Sequence, residues 1–180
     1  MRRLSTILSN IAPALLLGAP VVAHAQEVFL GGAVGGVDTP FSLDIGENGS
    51  AIQGGYRSAP VAALKAIGSP SPYILASVNV DGKTSFIAAG LSWKFGDKVY
   101  VRPGIGLALN DNGNARFSPN GDRLDLGSTL LFEPEIAVGA KLLPDLSVEA
   151  AWTHISHAQF FGGQNPGLDV IGIRMVKHLR

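Results

Sequence analysis

The sequence predicts an all-β protein, and within that class an eight-stranded antiparallel transmembrane β-barrel. Three observations carry the prediction. Oily and polar side chains alternate through successive segments of about ten residues. Glycine and proline are abundant, at 23 and 11 of 180 residues, as a chain of strands and turns requires. After the amino-terminal segment, no apolar run reaches the roughly 20 residues of a spanning helix. At this length the chain forms one domain rather than two.

The composition removes several function classes. Fourteen basic residues balance 14 acidic ones, and charged residues are 16% of the chain, which disfavours a nucleic-acid binder and an acidic disordered tail. Cysteine is absent, so disulfide frameworks, thiolate catalysis and cysteine-based zinc sites drop out.

Residues 1–25 read as a secretory signal peptide. Arg2 and Arg3 form the charged start, Ile11 to Val22 the apolar stretch, and Ala23-His24-Ala25 a small-residue cleavage site. A membrane helix is disfavoured, because the stretch is short and broken by Pro13 and Pro20. The mature domain is then 26–180. Without Arg2 and Arg3 it holds 12 basic and 14 acidic residues, a net charge near −2.

In chain order the strands are expected at Glu27–Val37, Ala51–Ser58, Tyr73–Val80, Ile87–Phe95, Val99–Leu109, Leu126–Leu142, Leu146–His157 and Leu168–Leu179. The pattern is clearest in the sixth, where Leu130, Phe132, Ile136, Val138, Ala140 and Leu142 oppose Thr129, Glu133, Glu135, Gly139 and Lys141. In the fifth, Val99, Val101, Ile105, Leu107 and Leu109 oppose Tyr100, Arg102, Gly104, Gly106 and Ala108.

Gly96-Asp97 and Pro144-Asp145 are tight turns, whereas Asp38–Ser50, Asn110–Asp125 and Ala158–Gly167 are long loops. An outer-membrane barrel has short periplasmic turns and long outer loops, and an upward first strand puts all three long loops outside. Asp81-Gly82-Lys83 is short for an outer loop, and Ala59–Pro72 is long for a turn, as a periplasmic flap or strand extension would be.

A soluble sandwich or lipid-binding barrel would alternate equally but put its oily face inward. Small residues on the polar faces favour the membrane version. So do Lys94, Arg102, Lys141 and Arg174, which could pair in a narrow lumen with Glu133, Glu135 and Glu149. Against it, the last strand ends Lys177-His178-Leu179-Arg180 without a girdle aromatic.

Two oily rows are interrupted by polar residues at adjacent strand ends. His154 and Ser156 follow Trp152, and Asp169 precedes Ile171, Ile173 and Met175. If Ala158–Gly167 closes a hairpin, pairing His154 with Asp169 also pairs Trp152 with Ile171, so one register keeps both rows on one side. Ser156 as nucleophile, His154 as base and Asp169 as the group that fixes the imidazole tautomer would then form an esterase triad on a lipid-facing wall. The bland alternative is that His154 and Ser156 mark where the strand leaves the membrane.

The region from about Arg102 to Met175 resembles the outer-membrane lipid A 3-O-deacylases of the PagL type. The resemblance rests on Pro103-Gly104-Ile105-Gly106-Leu107-Ala108, Leu126-Gly127-Ser128 with Phe132-Glu133, His154-Ile155-Ser156-His157-Ala158, and Asn165-Pro166-Gly167-Leu168-Asp169. It implies an eight-stranded barrel with a triad facing the outer leaflet, with the roles for His154, Ser156 and Asp169 that parity suggests. It also implies oxyanion stabilisation by Asn165 and by backbone N–H groups near Ala158, and it allows a homodimer. Two departures stand out. The family's His-x-Ser-Asn-Ala reads His-x-Ser-His-Ala here, and its acidic residue is often Glu, one methylene longer than Asp169. His157, beside the site, alternates away from Ser156 and reads as a rim or lumen histidine. The amino-terminal half carries no motif specific to the family.

Other chemistries fit poorly. His154 and His157 point to opposite faces of a strand, so they make no joint metal site. Gly104-Ile105-Gly106 lacks the strand-turn-helix setting of a nucleotide loop. Asn112, Asn114, Asp122 and Asp125 match no calcium-loop pattern, and Asn48-Gly49-Ser50 fits a glycosylation pattern by chance.

The expected function is an outer-membrane serine esterase of a Gram-negative bacterium that removes an acyl chain from lipid A. Trp152, Ile171 and Ile173 would face the substrate, and no metal, organic cofactor or nucleic-acid partner is expected. The alternatives are a non-enzymatic barrel for adhesion or envelope structure and a soluble exported lipid-binding barrel. The latter would place Leu130, Phe132 and Ile136 inside.

Overall fold

The computed structural model describes residues 26–40, 47–112, 126–157 and 167–179. The expected signal peptide lies outside them. Eight barrel strands are present among the described residues: β1 (Gln26–Gly35), β2 (Gly49–Arg57), β3 (Ser71–Asn79), β4 (Phe86–Ser92, resuming at Phe95–Gly96), β5 (Val99–Asn110), β6 (Leu130–Leu143), β7 (Leu146–Ile155) and β8 (Leu168–Leu179). Each pairs antiparallel with its neighbour in sequence, and β1 pairs with β8 from Gln26↔Leu179 to Gly35↔Val170, closing the sheet. Closure leaves no unpaired edge, which a hydrocarbon solvent demands.

Burial decides which way the alternation points. Leu30, Ile52, Ile74, Ile87, Ile105, Ile136 and Ile173 are exposed on the outer wall, Ile173 at 66%, while Glu149 and Arg174 are at 0% and 1%. Leu130 and Ile136 face outward, opposite in parity to buried Leu131, Glu133 and Glu135, so the soluble lipid-binding barrel is excluded. An oily exterior around a charged interior is stable only with lipid outside.

The lumen is filled by an ion network. Glu149 accepts hydrogen bonds from Arg57, Arg102 and Arg174 and from the Tyr100 hydroxyl, at 2.9 to 3.3 Å. Glu27 bridges Arg57 and Arg102 at 3.1 and 2.9 Å, and Glu135 takes both terminal nitrogens of Arg174 at 2.9 and 2.6 Å. The Phe29 ring lies against the guanidinium carbons of Arg57 and Arg174, at 4.5 and 4.6 Å. Four details differ from the expected pairing. Arg57 and Glu27 join the network, Glu133 accepts the Tyr73 hydroxyl, Lys94 lies 4.0 Å over the Tyr100 ring, and Lys141 is exposed at the rim. A guanidinium is better suited than an ammonium to a dry site needing several directed bonds.

Gly139 is required by close approach. A Cβ there would sit 2.2 Å from the Tyr100 ring, which uses that space to bring its hydroxyl to Glu149.

Most strand ends lie within one or two residues of expectation, and three differences have a visible cause. β6 starts at Leu130 rather than Leu126, because Gly127 turns the chain at φ 73° and the Asn110 side-chain amide takes the carbonyls of Ser128 and Thr129. β4 breaks at Trp93-Lys94 opposite Pro103, which accepts from the Trp93 N–H but has none to return. β7 ends at Ile155, and Ser156 keeps a single bridge to Phe132. Of the expected 59–72 connection, Ser71 and Pro72 extend β3, and the remaining 59–70 flap contains a 3₁₀ helix at Ala62–Ile67.

Candidate active site

The hairpin β7–β8 adopts the predicted register, with Trp152 opposite Ile171 and His154 opposite Asp169. Directly opposed residues on one face of an antiparallel pair are close enough for side chains to meet. Here they do: His154 Nδ1 lies 2.8 Å from Asp169 Oδ1. The same oxygen accepts the Trp152 indole N–H at 2.8 Å, and Oδ2 accepts the Thr39 hydroxyl. Asp169 is thus fully buried although it continues an outward row, because Trp152, His154 and Thr39 enclose it. A carboxylate at a lipid-facing position that accepts this many hydrogen bonds avoids most of its desolvation cost.

The His154 side chain keeps 11% exposure, and its ring centroid lies 6.2 Å from that of Trp152. With Nδ1 committed to Asp169, Nε2 is the nitrogen available to take a proton. Ser156 is the next outward position on the same row, about 7 Å along the chain from His154 at ordinary strand rise. Its backbone is held by Phe132 through two hydrogen bonds of 3.1 and 2.7 Å, and the residue is 7% exposed. Among the described residues its hydroxyl is not bonded to His154. In substrate-free hydrolases a contact of this kind is commonly loose and tightens on binding.

The remaining expected positions separate cleanly. Ile171 and Ile173 lie on the outer wall below the His–Asp pair, exposed at 40% and 66%. Trp152 is half-buried and orients Asp169 as well as contributing to that wall. His157 is fully buried, on the side of the chain opposite to Ser156 in strand parity. Asn165 and Ala158 lie outside the described residues, as do Asn114, Asp122 and Asp125 of the third loop. Thr39 had no signal in the sequence: it belongs to a loop after β1, and only barrel closure brings that loop to β8, where Val37 N–H also meets the Asp169 carbonyl at 3.3 Å.

A closed eight-stranded barrel with an oily exterior and a hydrogen-bonded His–Asp pair in its lipid-facing wall defines the class, an outer-membrane β-barrel. The sequence model of lipid A 3-O-deacylase (PagL) matches residues 38–178, and the chain belongs to this family. A crystal structure of the outer membrane enzyme PagL superposes with a TM-score of 0.54 at 21% identity, covering 86% of this chain and 100% of that one. A designed transmembrane β-barrel superposes at 0.51 with 12% identity, covering 87% and 96%. At these identities the superpositions speak for the fold alone. No curated protein matches the chain in sequence.

Proposed function

We propose that this protein is a serine esterase that removes an ester-linked 3-hydroxyacyl chain from lipid A in the outer membrane, after export through a signal peptide in residues 1–25. The observation that carries the reading is the His154–Asp169 bond, set in the lipid-facing wall of a barrel of this family. Lipid A enters sideways from the leaflet, its acyl chains against Trp152, Ile171 and Ile173. Ser156 Oγ attacks the ester carbonyl while His154 Nε2 takes its proton. Asp169 stabilises the imidazolium. His154 then protonates the departing sugar oxygen, leaving an acyl-Ser156 ester. Water, deprotonated by the same imidazole, releases the fatty acid and restores Ser156.

The test is mass spectrometry of lipid A from a Gram-negative host expressing either the wild type or Ser156→Ala at equal outer-membrane levels. Loss of one hydroxyacyl mass with the wild type alone is expected. Unchanged lipid A in both, repeated with purified protein, would leave a non-enzymatic barrel. Trp152→Phe gives a finer expectation: an aromatic ring stays, one ring smaller, but the indole N–H to Asp169 is lost, so turnover falls roughly tenfold, in line with one hydrogen bond to a charged group. Fatty-acid release by the folded variant measures it.

A further inference from the structure

The lysines are distributed unevenly between the two ends of the barrel. Of six, only Lys83 sits at the long-loop end. Lys65 lies in the β2–β3 flap, Lys94 and Lys98 flank the β4–β5 turn, and Lys141 and Lys177 lie near the turn-side ends of β6 and β8. All five are exposed. The Lys141 N–H bonds the Lys98 carbonyl at 2.8 Å, which sets those two side by side. The exposed or half-buried acids among the described residues at this end are Asp97 and Asp145, and Asp145 pairs with Lys177. Glu27 is buried in the lumen network. The tight turns identify this end as periplasmic.

The flap adds an apolar element at the same level. None of Ala62–Ile67 is buried, and Ile67 is 53% exposed. The segment is fastened to the wall by the Trp93 indole N–H, which donates to the Ile67 carbonyl at 2.7 Å, and by Gly68, which sits against the Trp93 ring. A flap with apolar side chains, one lysine and an anchoring indole suits the boundary between headgroups and acyl chains. There the apolar groups enter hydrocarbon and lysines reach outward to phosphates.

We propose that the periplasmic rim and its 59–70 flap form a binding surface for anionic phospholipids of the inner leaflet, with phosphatidylglycerol-type headgroups against Lys65, Lys98, Lys141 and Lys177, while the Lys94 ammonium stays over the Tyr100 ring at the lumen mouth. The surplus of positive charge selects lipids whose phosphate has no ammonium partner of its own. This surface lies at the opposite end of the barrel from the ester-cleaving face and does not depend on that activity.

The experiment uses the full protein carrying Trp152→Phe, so that Trp93 is its single tryptophan. It is reconstituted in vesicles of one fixed phosphatidylcholine–phosphatidylglycerol ratio, with one lipid or the other brominated at the same chain positions. Quenching of Trp93 reports which lipid neighbours the flap. Enrichment of phosphatidylglycerol is expected to be on the order of fivefold, the effect of one lysine engaged near the surface. It should fall toward unity when Lys65, Lys98, Lys141 and Lys177 are replaced by Gln, and persist when they are replaced by Arg. If the Gln variant does not insert, Lys65→Gln in the flap that Trp93 fastens, with Lys98→Gln in the β4–β5 turn, must by itself lower the enrichment. Equal quenching by the two lipids, or enrichment unchanged by the Gln replacements, overturns the proposal.

Discussion

Asp169→Asn is expected to lower deacylation by roughly four orders of magnitude, while the barrel stays folded. Asn has nearly the shape of Asp, so the local packing survives, and its single carbonyl oxygen can keep the Thr39 bond while its amide takes the place of Oδ1, giving up the bond from Trp152. The amide N–H then points toward His154 Nδ1. That arrangement favours the imidazole tautomer with the proton on Nε2, and an Nε2–H cannot take the proton of Ser156. The imidazolium that forms during attack also loses its carboxylate. The check is fatty-acid release from purified lipid A, with gel mobility before and after heating to report folding. Activity within tenfold of wild type would remove Asp169 from the proposed triad. Asp169→Glu is the informative contrast, because the resembled family often carries the longer acid. The Asp169 carboxylate is already enclosed by three partners, so an added methylene displaces at least one of them. Partial rather than full activity is expected.

Glu149→Leu is the second large effect, and here the fold is at stake. Glu149 is fully buried and is the shared acceptor of Arg57, Arg102, Arg174 and Tyr100. Its removal leaves three guanidinium groups to share Glu27 and Glu135 in a closed lumen. Breaking a buried network on one side costs about 3–5 kcal/mol, because the orphaned charges keep their desolvation penalty. The denaturant midpoint of the purified barrel should therefore drop sharply, or no folded species should be recovered. Glu149→Gln, which keeps the shape and an acceptor but not the charge, should fall between. An unchanged midpoint for Glu149→Leu would mean that the network contributes little beyond filling space.

Legibility followed how cleanly the two rows of a strand separate. In β6 and β7 one row is oily and the other largely polar, and in β8 the outward row is clear, so rows and register could be read directly, including the pairing of His154 with Asp169. In β1 both rows are apolar or small. Phe29 faces inward to meet Arg57 and Arg174, and nothing local marks Glu27 as its companion in the lumen. Arg57 was missed for a related reason: it ends a strand rich in glycine, whose parity carries little information. Trp152 was legible as part of the outer wall, but not as a donor to Asp169, because an indole N–H reaches its partner through a rotamer that sequence does not specify.

The sequence alone determined the class, the strand order, and which residues share a row. Each follows from the two-residue period of a strand and the chemistry of its turns. Alternation is unchanged when a sheet is turned inside out, so only the burial in the folded barrel decided that the oily rows face outward and the arginines and glutamates inward. Barrel closure joined β1 to β8 and brought Thr39 onto Asp169 across 130 residues of chain, a contact encoded by the geometry of the whole sheet and by no local signal.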